Sequence, residues 1–249
     1  TLLNKLSDFS LYAFEEELKR GYISIRGGHR VGLAGKVTVE QGSVKAIKEI
    51  GSYNIRIARQ KIGIARSLVP FIYQKKWLNT LILGAPQTGK TTLLRDFARL
   101  ISTGCKTVNA HPKKVGIVDE RSEIAGCVSG IPQHDLGDRV DVLDACPKAE
   151  GMMMMIRSMS PDVLIVDEIG RKEDSEAIVE AMNAGIQMMM TVHAHSLEDL
   201  YHRPMIQPLL EIGLFDRFIE LTRRDVPGIV QRIRDREGED LVKKKVASQ

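Results

Sequence analysis

The chain has 249 residues, 43% hydrophobic and 27% charged, an ordinary globular composition with length for one large or two small domains. No run approaches the roughly 20 uninterrupted apolar residues of a spanning helix, and the segment that begins at Thr1, with no initiator Met, lacks the basic-then-apolar layout of a signal peptide, so a cytoplasmic protein, at most peripheral at a membrane, is expected. Three cysteines without CxxC spacing argue against a disulfide framework and a four-thiolate zinc module, and a net charge of +4 with 5% aromatics gives little support for nucleic-acid binding.

In chain order, apolar residues at three- and four-residue steps predict a helix over Leu2–Leu18, ended by Gly21. Alternation from Tyr22 to Val39, punctuated by Gly27, Gly28, Gly32 and Gly35, predicts short strands; Tyr53–Ala58 predicts another, and Gln60–Tyr73 a helix despite Gly63 and Pro70. These make a small α+β domain, residues 1–75. Beyond it, Leu81–Leu83, Val115–Val118, Val163–Val166 and Met188–Val192 are too short for helices and too continuously apolar for a half-exposed sheet, so they read as buried parallel strands. Helical spacing recurs in Thr91–Ile101, Glu150–Met159 and Glu173–Ala184, with Gly185 as a C-cap and Pro161 as a stop. Phe218–Leu221 and Ile229–Ile233 read as an edge hairpin, the methionine runs as core filler and Lys243–Lys245 as a solvated tail. The expected fold is α/β: a RecA-like P-loop NTPase core over residues 76–249, a mostly parallel sheet with flanking helices, behind the small domain.

The strongest chemical signal is Gly84-Ala85-Pro86-Gln87-Thr88-Gly89-Lys90-Thr91, a full match to GxxxxGK[ST] between an apolar strand and a helix that continues with Thr92. Glycines let the backbone curl so that N–H groups point at phosphate oxygens, and the helix N-terminus adds its positive end. In that reading Lys90 reaches the β and γ phosphates of ATP and Thr91 coordinates Mg2+. Val163–Val166 delivers Asp167 and Glu168 to a C-terminal strand edge, where ligands of open α/β sheets bind. Asp167 fits the Mg2+ carboxylate, and Glu168 a group that orients or deprotonates water. A third acidic cluster, Asp119-Glu120-Arg121-Ser122-Glu123, follows Val115–Val118, so Glu120 competes with Glu168 for that role. His193, and after it His195, follow the fourth strand, where an imidazole could sense the γ-phosphate. Of the arginines able to stabilise transferred charge, Arg26, Arg30, Arg56, Arg121, Arg139 and Arg157, the choice falls on Arg56 and Arg139.

The succession GAPQTGKT, VDERSE, LIVDEIG and TVHAHS resembles the Walker A loop, acidic box, Walker B strand and His box of the secretion ATPase superfamily, the motors of type II and type IV secretion and pilus retraction. GGHRVGLAGK, NIRIAR, GIVDERSEIAG, DVLDACPKAEGM and MSPDVLIVDEIGRKED resemble, more narrowly, its branch in endospore-forming bacteria. The resemblance implies a mother-cell ATPase that assembles into a ring, with a hexamer as the expected form. It also implies nucleotide near subunit borders and contact with cytoplasmic parts of membrane proteins of a sporulation channel. The acidic box departs from the Glu-Asp order common in secretion motors, and the zinc-binding cysteine module of some type II motors is absent. Two alternatives keep the same core: a RecA-like nucleic-acid motor, and a nucleotide-gated scaffold that scarcely hydrolyses ATP.

Overall fold

The computed structural model describes residues 2–6, 14–223 and 226–242; the Lys243–Lys245 run, the middle of the predicted N-terminal helix and part of the predicted edge-hairpin turn lie outside them. By compactness the chain divides into one unit of Thr1–Gln60 with Ala125–Asp135 and a second of Lys61–Ile124 with Leu136–Gln249. Residues 61–75, assigned to the first domain from sequence, thus fall in the second unit, and an eleven-residue excursion from the second returns to the first.

In the first unit, helices α1 (Leu2–Leu6) and α2 (Glu15–Lys19) accompany an antiparallel sheet of β1 (Tyr22–Ile25), β2 (His29–Glu40) and β3 (Ser43–Arg56), in the order β1-β2-β3. Ile23, Val31 and Leu33 form its buried centre, with Leu3, Leu6, Phe14 and Leu18 packed against them. The β2–β3 hairpin is longer than the alternation suggested. It turns through Gln41 and Gly42, both at positive φ, as a two-residue hairpin turn requires.

In the second unit the predicted helix over Gln60–Tyr73 is not formed. Gly63 is left-handed (φ 89°), and only a 3-10 turn at Arg66–Leu68 and one helical turn, α3 (Val69–Ile72), follow. Asp96 accepts the N–H groups of Gly63 (3.1 Å) and Ala65 (2.8 Å), and Pro70 sits in the first turn of α3, where it begins a helix rather than continuing one. A small hairpin, β4 (Tyr73–Gln74) with β5 (Lys76–Trp77), leads into the main sheet. Its strands are β6 (Thr80–Leu83), β7 (Val115–Asp119), β8 (Val140–Asp144), β9 (Val163–Val166), β10 (Gln187–Val192), β11 (Arg217–Thr222) and β12 (Ile229–Arg234). Their order is β12-β11-β6-β10-β9-β7-β8, and every neighbouring pair is parallel except β11 with β12.

The expected mostly parallel α/β core is therefore present, with β8 as an unforeseen edge strand. Helices α4 (Lys90–Thr103), α5 (Lys148–Ser158) and α6 (Lys172–Asn183) match the predicted ones, and short α7 (Leu197–Leu200) and α8 (Gln207–Glu211) follow. Side chains on successive strand positions point to opposite faces. Leu81, Leu83, Val118, Leu164, Val166, Met188 and Met190 pack with Met152 and Met155 of α5 and Ala177 and Ile178 of α6. The alternate residues Ile82, Ile117, Ile165 and Met189 are buried on the other face, where α4 lies. Among the described residues no helix is long and apolar enough to cross a membrane.

Candidate functional site

Because β6, β10, β9 and β7 are adjacent and parallel, the segments that follow them emerge side by side on one sheet edge. That edge receives loop 84–89 and α4 from β6, His193 from β10, Asp167 and Glu168 from β9, and Asp119 to Glu123 from β7.

The loop is a tight curl. A Cβ on Gly84 would collide with the Thr88 side chain, Gln87 is left-handed (φ 63°), and Gly89, also left-handed (φ 93°), would bring a Cβ to 3.1 Å from the Gly228 nitrogen. The Thr88 hydroxyl donates to Ala85 O (2.8 Å). The β11–β12 connection lies against the same loop, with Gly228 N–H donating to Thr88 O (2.8 Å) and Arg223 to Gln87 Oε1 (2.9 Å). Lys90, buried, folds back on the curl. Its Nζ donates to Gly84 O (2.8 Å) and Ala85 O (3.0 Å) and lies 3.1 Å from His193 Nδ1. Burial pushes the Lys90 ammonium below its usual pKa, opposed by the charges of Asp167 and Glu168.

His193 links two groups. With Lys90 donating to Nδ1, the imidazole proton resides on Nε2, which lies 2.9 Å from Glu168 Oε1. The other Glu168 oxygen pairs with Arg121 at 2.7 Å. Thr91 donates to Asp167 Oδ2 at 2.6 Å. Thr191, fully buried in β10, donates its hydroxyl to the second Asp167 oxygen and accepts the Glu168 N–H (2.9 Å). That bond secures Glu168 in a left-handed conformation (φ 55°), costly for a residue with a Cβ.

The β7 cluster is organised from beneath. Buried Asp119 accepts the N–H groups of Glu123 (2.8 Å) and Ile124 (2.9 Å), while Arg95 of α4 donates to the carbonyls of Ile124 and Glu123, both at 2.6 Å. Glu120 pairs with Lys148, the first residue of α5, and lies 3.7 Å from Arg171. Burial pushes the Glu120 carboxyl up, but the Lys148 hydrogen bond and the charges of Lys148, Arg171 and Arg121 outweigh it and leave the group below the ordinary glutamate range. Asp119, Glu120, Glu123, Asp167 and Glu168 line one recess with Arg121 and Lys148.

Of the residues singled out from sequence, Gly84 to Thr92, Glu120, Asp167, Glu168 and His193 share this edge. Arg139 does not. It precedes β8, its carbonyl accepting from Val115 N and its N–H donating to Ser102, so it stands at the opposite edge of the parallel sheet from Lys90. Arg56 ends β3 in the first unit. His195 is exposed, its N–H donating to Asp199 at the start of α7. Arg121, passed over in favour of Arg56 and Arg139, is the arginine that reaches Glu168. Thr191, Lys148, Arg171 and Arg95 were missed, because each acts on a residue that a different strand or loop brings to it.

Comparison with known proteins agrees with this architecture. The chain is 62% identical over 240 residues to stage III sporulation protein AA of Bacillus subtilis (strain 168), covering 96% of this chain and 78% of that protein. In fold it is similar to the Yersinia pseudotuberculosis ATPase DotB (TM-score 0.60, 15% identity, 92% of this chain and 65% of that one). It is also similar to the pilus retraction motor PilT, solved with bound ADP (TM-score 0.56, 15% identity, 90% of this chain and 70% of that one). The family model described as "Sporulation stage III, protein AA" matches residues 1–241, and the chain belongs to that family.

Proposed function

We propose that this chain is a Mg2+-dependent ATPase that works in the mother-cell cytoplasm as a ring-shaped homo-oligomer, a hexamer in the simplest form, on cytoplasmic parts of membrane proteins of a sporulation channel. The observation that carries the reading is the 2.6 Å bond from Thr91 to Asp167 beside the curled loop. It joins the hydroxyl and carboxylate that share a magnesium ion in P-loop enzymes. The fit to nucleotide is supported by the curl, whose Gly84 and Gly89 leave no room for side chains, and by the N-terminus of fourteen-residue α4.

In this reading Thr91 and Asp167 would hold Mg2+, which would supply positive charge against the phosphates of ATP. Lys90 exchanges its loop carbonyls for phosphate oxygens. Glu168, carried on a rigid strand end and hydrogen-bonded to His193, orients the attacking water and accepts its proton. His193, shared between Lys90 and Glu168, registers whether Lys90 has moved to a phosphate. Phosphate release by Lys90→Ala and Asp167→Asn tests the reading. A fall of about a hundredfold or more is expected, and turnover at the unsubstituted rate would overturn it.

A nucleotide-gated scaffold is favoured by one fact: Glu120 and Glu168 are both already ion-paired. Sporulation unaffected by Glu120→Gln together with Glu168→Gln would select it.

A further inference from the structure

We infer that Lys148 is a positioning residue of this site: it holds the Glu120 carboxylate in the recess beside Asp167 and Glu168, and through Glu120 it sets the rate of the chemical step without contacting nucleotide. The inference rests on the ATPase reading above and deepens it.

A lysine is badly placed at this position by every local criterion. Lys148 is the first residue of α5, where the positive end of the helix dipole repels a cation. Its side chain is only 8% exposed, so the ammonium has also given up most of its water. A residue that breaks two local rules marks a gain made elsewhere, and the gain here is the ion pair with Glu120. Arg171, which approaches the other Glu120 oxygen at 3.7 Å, is 70% exposed and is a weak, solvent-screened partner by comparison.

The fold sets up the contact through strand order. β8 lies beside β7, so the turn after β8 delivers Lys148 next to Glu120, which directly follows β7. Packing then fixes the reach. Gly151, one turn into α5, lies so close to β7 that a Cβ would stand 2.5 Å from Val118 Cγ1 and 3.0 Å from Cys146 Sγ. That approach holds the start of α5 against the end of β7. Glu168 has its own partners, the Arg121 guanidinium and the His193 ring N–H. The two carboxylates are thereby assigned different work: Glu168 sits in the hydrogen-bonded chain to Lys90, and Glu120 is a fixed anion of the recess wall.

The test is steady-state ATP hydrolysis with fluorescent-nucleotide affinity, on the full chain and on Lys148→Met, Lys148→Arg, Glu120→Gln and the Lys148→Met, Glu120→Gln double variant. Lys148→Met is expected to lower kcat about tenfold while KM and nucleotide affinity stay within about twofold. Lys148→Arg should recover most of the rate, and the double variant should be no slower than Glu120→Gln. An unchanged kcat in Lys148→Met, or a double variant slower by the product of both single effects, would overturn the inference. Should Lys148→Met fail to fold, Lys148→Gln, which also removes the charge, is compared in the parent chain and in the Glu120→Gln variant; an unchanged rate in the parent chain, or a rate loss that persists without the Glu120 carboxylate, overturns it equally. An active parent indifferent to Lys148 sinks this inference alone, whereas an inactive parent sinks the ATPase reading beneath it.

Discussion

Thr191 has one hydroxyl and two clients, Asp167 as acceptor and the Glu168 N–H as donor. Thr191→Val keeps the shape but removes the buried hydroxyl that serves both half-buried groups at the end of β9, so it should cost about 1–2 kcal/mol in urea unfolding, while Thr191→Ser should cost less than about 1 kcal/mol. Equal stability of Val and Ser variants would show that the hydroxyl holds nothing. Asp144 tests the opposite kind of group. Burial raises its pKa, against the Ser122 hydrogen bond (2.6 Å) and the Ala145 N–H. A carboxyl raised in the folded state binds its proton more tightly there than in the unfolded chain, so its ionised form weakens the fold above the folded pKa, and that penalty fades as pH falls through the carboxylate range. Asp144→Asn should therefore raise the urea midpoint at pH 7 and lose its advantage towards pH 4; a lower midpoint at pH 7 would contradict this. Neither Thr191 nor Lys148 was legible beforehand, because each takes its meaning from a neighbouring strand far away in sequence. Lys90, Thr91 and Asp167 were legible, because the phosphate-loop pattern and an apolar run ending in acid are local and state their own context.

At the scale of elements, Asp96 ties the irregular segment after Gly63 to α4. It is 2% exposed and accepts from Gly63 N, Ala65 N and the Arg99 guanidinium. Asp96→Ala leaves those donors unanswered and should destabilise the protein by about 3 kcal/mol or more. It should also open Arg59, Lys61 and Arg66 to trypsin before the rest of the chain, and cleavage no faster than in the parent would refute the tie. This bond explains why apolar spacing over Gln60–Tyr73 misled: the carboxylate took N–H groups that a helix would have used, and spacing does not report that competition. β8 escaped notice for a different reason. Val140-Asp141-Val142-Leu143-Asp144 is half-buried at the sheet edge, so it shows neither a continuous apolar run nor a clean alternation. The four central strands were readable because both of their faces are covered.

For the molecule as a whole, the order β6-β10-β9-β7-β8 turns five separate stretches of sequence into one edge of chemistry. Arg139 stands at the far edge of that sheet, so any part it takes in turnover is through a neighbouring copy. Under the proposed ring-forming ATPase, activity per chain is then expected to rise with protein concentration, and to fall in Arg139→Ala only at concentrations where chains associate; a flat profile would place catalysis within single chains. The most direct test of the central claim, a phosphate loop facing a magnesium-holding acid, is titration calorimetry of the folded chain with ATP at millimolar concentration, with and without Mg2+. The account requires saturable binding that strengthens with Mg2+ and loses that strengthening in Asp167→Asn. Heat of dilution alone, from protein shown to be folded, would contradict it.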